Sequence, residues 1–174
     1  MVGQWILYTR WLFVLCGDCT GITWIVGDSI VFWAGQSWAR SSVAHRDSTN
    51  QLVFIGTRGA NIQQIKRTLM TAWMARSADP DVVILHIGSN DLGQIACREF
   101  RDQLESLWDF VQCLSMRCEW VWSDILPRTN IRNMRPDGFG ALQKVHKQIN
   151  RFARRLCARH GGRFLKHPEF SAPD

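Results

Sequence analysis

Nowhere in the 174 residues is there a run of the roughly eighteen apolar residues that a membrane-spanning helix needs, so the chain reads as soluble. No period of about 20 to 50 residues recurs, which excludes solenoid and propeller arrays. No stretch is polar or long enough to be a linker, and none is low in complexity. The apolar stretch from Trp5 to Cys16 is broken by Arg10 and has neither a basic lead-in nor a small-x-small cleavage site, so it does not read as a secretory leader. A second CxxC is also missing. Cys16 and Cys19 stand alone, whereas structural zinc needs two such pairs or suitably spaced histidines. The six cysteines therefore read as reduced thiols in a chain large enough to bury a core, with no metal or cofactor implied. That places the chain inside the cell, in the cytoplasm or nucleus.

What is present is a regular alternation of strand and helix signals. Apolar runs rich in β-branched residues fall at Ile22 to Val26, Leu52 to Ile55, Asp81 to Ile87, Glu119 to Trp122 and Arg163 to Lys166. Helical patterns occupy Ser29 to Arg40, Asn61 to Arg76, Cys97 to Cys113 and Asp137 to Arg159. Alternation of this kind is the signature of an α/β domain, a parallel sheet covered by helices on both faces. The run Val82-Val83-Ile84-Leu85-His86-Ile87 is continuous rather than alternating, which predicts a central strand buried on both sides. Residues 1–21 form an amino-terminal extension and residues 22–174 one domain.

In a parallel sheet, ligands bind outside the carboxyl ends of the strands, so the loops after the strands carry the chemistry. The first gives Gly27-Asp28-Ser29 at the start of a helix, where outward-facing amides and the helix dipole favour developing negative charge. Either Asp28 or Ser29 can equally serve as a plain helix cap. The second gives Gly56-Thr57-Arg58-Gly59-Ala60-Asn61, in which Gly59 allows close backbone approach and is otherwise a turn glycine. The third gives Gly88-Ser89-Asn90-Asp91, in which Asn90 can offer an amide to an oxyanion; Asn and Asp are also ordinary turn residues.

Together these three loops resemble the blocks of the SGNH hydrolase superfamily, the GDSL-type esterases. The resemblance covers about Ile22 to Pro168. It implies a three-layer α/β/α sandwich with a five-stranded parallel sheet of flavodoxin-like type. It also implies Ser29 as nucleophile, Gly59 and Asn90 as oxyanion-hole residues with the Ser29 amide, and an ester or acyl substrate whose identity the loops do not reveal. Asp28 and Asp91 would support the site. The segments Trp24 to Ser29, His86 to Gly93 and Trp122 to Arg128 further resemble SGNH-like domains of vertebrate open reading frames, some of them associated with mobile elements.

The family's base is the histidine of an Asp-x-x-His block, and no Asp-x-x-His occurs in the sequence. The expectation is a domain truncated at its carboxyl end, impaired as an enzyme and lacking its last helix, with Trp5 to Leu15 able to cover the sheet face left bare. Among the histidines, His86 reads as a packed residue bracing the third loop. His45, His146 and His160 fall away from the active rim, and His167, ending the fifth strand, is the stand-in for the base. Asp124 reads as a loop-fixing carboxylate. Finally, eleven basic residues lie between Arg128 and Lys166 against Asp137 alone. Leu142, Val145, Ile149, Phe152 and Leu156 form the apolar stripe of the last helix, which leaves Lys144, Lys147, Arg151, Arg154, Arg155 and Arg159 on its polar side. They form either a solvated face or a surface for nucleic acid or an acidic partner, the latter offering a non-catalytic alternative.

Overall fold

The continuous apolar run in the middle of the chain forms a strand, β3 (Val82–His86), whose five residues are all buried. It lies third in a sheet of order β2-β1-β3-β4-β5, in which every neighbouring pair is parallel. The other strands are β1 (Gly21–Gly27), β2 (Asn50–Gly56), β4 (Glu119–Ser123) and β5 (Arg163–Leu165). Between them run α1 (Ser29–Ala39), α2 (Ile62–Ala75), α3 (Cys97–Leu114) and α4 (Gly138–Arg159). This computed structural model describes residues 21–40, 50–115, 117–127 and 138–167. Residues 1–20 of the amino-terminal extension, with Cys16, Cys19 and the segment Trp5 to Leu15, lie outside the described residues, as do His45 and everything beyond His167, whereas Gly21 already belongs to β1.

Alternation along the strands divides the core into two layers. Trp24, Val26, Val83, Leu85, Trp120 and Trp122 face α2, α3 and α4 in one large cluster. Ile25, Val82, Ile84, Val121 and Leu165 face the other way, together with Val31 of α1. Among the described residues, α1 is the helix on that second face. The three-layer α/β/α arrangement expected from the sequence is therefore present. In the larger cluster Trp73 of α2 meets Trp24 edge-on at 5.7 Å and stacks on Trp120 at 6.0 Å, tying α2 to β1 and β4.

Small boundary differences have local causes. Asp81, read as the start of the third strand, instead uses its carboxylate to accept the Ile22 N–H at 2.7 Å and so pins the mouth of β1. The second helix begins after Asn61, whose side chain accepts from Gln64 N while Gln64 accepts from Asn61 N, both at 2.9 Å. That reciprocal pair is a capping box, and it fixes where β2's loop ends. At Gly27 a side chain would collide with the His86 carbonyl and with Val31, so only glycine lets β1, β3 and α1 close up there.

The strand order has one consequence for function. The chain steps from β1 outward to β2, then returns to the other side of β1 to lay down β3. The loops after β1 and β3 therefore diverge on opposite sides of the sheet, which is where a crevice opens in this architecture.

Candidate active site

Ser29 is the first residue of α1, and its N–H is among the four that a helix leaves without an intrahelical partner. The cap itself is Asp28, whose Oδ1 accepts the Ile30 N–H at 2.9 Å. Of the two cap candidates in the sequence, Asp28 does the capping, and Ser29 beside it is half-buried at the first position of the helix. Asp28 is fully buried, and its other oxygen accepts from the hydroxyl of Ser89 in the third loop.

Three further bonds bind the loops to one another. The Thr57 N–H donates to the Gly27 carbonyl at 2.9 Å, joining the second loop to the first. Asn90 Nδ2 donates to the Ala60 carbonyl at 2.9 Å, joining the third loop to the second. Asp91, also in the third loop, accepts the Ile62 N–H at the start of α2, at 3.1 Å to Oδ2. Within the second loop, Ala60 N–H closes a turn onto Thr57 at 3.3 Å, with Gly59 at φ +70° and exposed. That left-handed backbone suits glycine, and no other atom lies within 4 Å of where a Cβ would be. Arg58 beside it spreads over the Trp33 ring of α1 at 5.2 Å, a cation–π contact holding this loop against the helix that carries Ser29.

The electrostatics of this rim are set by burial. Asp91 is 2% exposed, and its carboxyl is pushed up to about 6, chiefly by loss of water and further by Asp28 nearby, with the Ile62 amide opposing.

His167 does not stand alone at the rim as a base. Its Nε2 lies 2.8 Å from Ser123 Oγ, and the same hydroxyl lies 2.9 Å from His86 Nδ1. The two rings meet edge-to-face at 6.1 Å, on the sheet face that α1 occupies. His86 is 2% exposed and drops to about 3, chiefly through burial and secondarily through His167, so it is neutral at ordinary pH. It sits opposite Gly27 in the parallel register, directly behind the first loop. The remaining candidates are structural. His146 Nε2 contacts the Ile125 carbonyl at 2.6 Å, and His160 stacks on Trp108. Asp124 is buried and receives Arg154 Nε at 3.0 Å on both oxygens, with a second guanidinium nitrogen also bound.

Two members of this network went unnoticed in the sequence, Ser89 and Ser123. Ser123 had a usable signal: period-two alternation puts it on the same face as Val121, beside the buried His86. Among the described residues no group of three or more His, Cys, Asp or Glu side chains could hold a metal ion.

Known proteins extend the picture. Solved structures that resemble this one include a lipolytic protein of the G-D-S-L family from Veillonella parvula, with a TM-score of 0.64 at 15% identity over 83% of this chain and 76% of that one. A lipase/acylhydrolase from Enterococcus faecalis gives 0.60 at 18% identity, covering 82% and 74%. A catalytic mutant of an acetylxylan esterase from Geobacillus stearothermophilus gives 0.61 at 16%, covering 83% and 75%. No curated protein matches by sequence. The model of the GDSL-like lipase/acylhydrolase family matches residues 25–174, from the middle of β1 onward, and the chain belongs to that family.

Proposed function

We propose that this domain is a serine acyl hydrolase of the SGNH type. Ser29 attacks an ester carbonyl, and the Ser29 and Gly59 amides with the Asn90 side chain take up the charge that develops on its oxygen. The observation that carries this reading is the set of bonds Asp28–Ser89, Thr57–Gly27 and Asn90–Ala60, which fastens the three loops together at the divergence of β1 and β3. Donors held before the substrate arrives stabilise a transition state without reorganising, which is the main source of rate in acyl transfer.

Proton transfer limits both steps, attack by Ser29 and release of the acyl group by water. Within these 174 residues there is no Asp-x-x-His, and the Nε2 of His167 is engaged with Ser123. Without a base the hydroxyl is a weak nucleophile, so turnover is lower by several orders of magnitude than for an intact triad. The described cysteines, Cys97, Cys113, Cys118 and Cys157, are free thiols, which supports a reducing compartment, cytoplasm or nucleus.

The test is steady-state hydrolysis of p-nitrophenyl acetate by the full chain, Ser29→Ala and Asn90→Ala. Both variants are expected to fall to the uncatalysed rate or near it. Rates unchanged in Ser29→Ala remove the proposal.

A further inference from the structure

The basic final helix is not used by the acyl-transfer chemistry, and the structure sorts its charges. Lys144, Lys147, Arg151, Arg155 and Arg159 are all exposed. They follow one another at three or four residues, the spacing that keeps side chains on one helix face. With a rise of about 1.5 Å per residue the stripe runs for about 22 Å. No acidic residue occurs anywhere in α4 to interrupt it. Arg154, grouped with these residues in the sequence, is turned instead toward the sheet and bound to Asp124.

An aromatic ring lies by Arg154, on the flank of the same helix. Phe164 sits on β5, the edge strand, and is 44% exposed. Arg154 Cζ is 5.9 Å and Lys166 Nζ 5.8 Å from its ring centre. A row of exposed cations on a helix whose flank meets an open ring, with Lys166 also at that ring, is an arrangement that suits a single-stranded nucleic acid, phosphates on the charges and a base on the ring. A membrane surface fits less well, because the large apolar side chains exposed among the described residues are Trp33, Met70, Met74 and Phe164, none of them on α4.

We propose that the exposed face of α4, together with Phe164, binds single-stranded nucleic acid. The proposal does not depend on Ser29 chemistry.

The experiment is fluorescence anisotropy of a fluorescein-labelled oligouridine titrated with the full chain at several salt concentrations. If all five cations meet phosphates, log affinity falls against log salt with a slope of about −3.5. The combined variant Lys147→Glu, Arg151→Glu, Arg155→Glu is expected to lose at least about a hundredfold in affinity, and the Gln version of the same three a smaller part of that. Phe164→Ala should weaken the single strand about fivefold or more and leave a duplex of the same sequence unaffected. Far-UV circular dichroism checks that each variant folds. A slope shallower than about −1, or equal binding by the charge-reversed protein, overturns the proposal. So does loss of self-association in place of oligonucleotide binding, with the acidic face of α3 (Asp102, Glu105, Asp109) as the occupant, or capture by phosphatidylserine vesicles alone.

Discussion

Replacing Asp91 with Asn should change how stability depends on pH, and the change can be worked out from two buried groups. Asp91 is raised from 3.8 to about 6 in the fold, so between those values the native state holds a proton that the unfolded chain has lost. Its contribution is therefore greatest below pH 4 and is lost as pH rises through 6, at about 1.4 kcal/mol per pH unit. His86 is lowered from 6.5 to about 3, so below 6.5 the unfolded chain binds a proton that the native state refuses. Its contribution is present above 6.5 and is lost as pH falls, at the same rate of about 1.4 kcal/mol per unit. Between about pH 4 and 6 the two slopes oppose and nearly cancel in the wild type. Asp91→Asn keeps an acceptor for the Ile62 amide while removing one titration, which exposes the other. Its stability should fall by about 2 to 3 kcal/mol from pH 6 to pH 4 relative to wild type, and that of His86→Asn should rise by a similar amount. Urea unfolding followed by tryptophan fluorescence, with nine tryptophans as reporters, measures all three curves. Titrating groups remote from Asp91 and His86 contribute equally to each curve. Three parallel profiles would refute the reasoning, because they would mean that neither group titrates differently in the fold.

Other substitutions test other links. Gly59→Ala meets no neighbouring atom but must hold φ +70°, so it should cost about 1 kcal/mol by thermal or urea unfolding, with no collision to add to it. Removing Arg154 leaves the Asp124 carboxylate, 5% exposed, without its cation; Arg154→Ala should destabilise by about 2 kcal/mol, and Asp124→Ala added to it should cost less than the sum of the two single changes. Leu104→Ala opens a cavity in the larger core and should cost about 2 to 5 kcal/mol in the same assay.

The sheet was legible because its signal is local. Continuous apolar residues at Val82 to Leu85 require burial on both faces, and the alternating helical stripes require a sheet to pack on, so order and type of element followed without knowledge of the partners. The rim loops were legible in part. Ser29, Gly59 and Asn90 could be placed at one rim, since every strand points the same way. The bonds that join those loops were not, because Ser89–Asp28 and Asn90–Ala60 link positions 61 and 30 residues apart and no local pattern encodes them. The same holds for His167. Its position after β5 was readable, but its partner depends on β4 lying beside both β3 and β5, which brings Ser123 between two histidines. For the basic helix, periodicity separated the apolar from the charged side; only the packed structure shows that Arg154 leaves that side for Asp124.

The central claim is that Ser29 is a nucleophile in a preformed oxyanion site, and the most direct measurement is a trapped acyl-enzyme. The p-nitrophenolate leaving group eases acylation, whereas release of the resulting serine ester by water has no such help and also needs a base, so an acetyl group delivered by p-nitrophenyl acetate should accumulate on the protein. Acid quenching followed by peptide mass spectrometry should find that acetyl group on Ser29 in the wild type, with less of it in Asn90→Ala. An unmodified Ser29, or acetylation confined to surface lysines and equal in Ser29→Ala, would contradict the account.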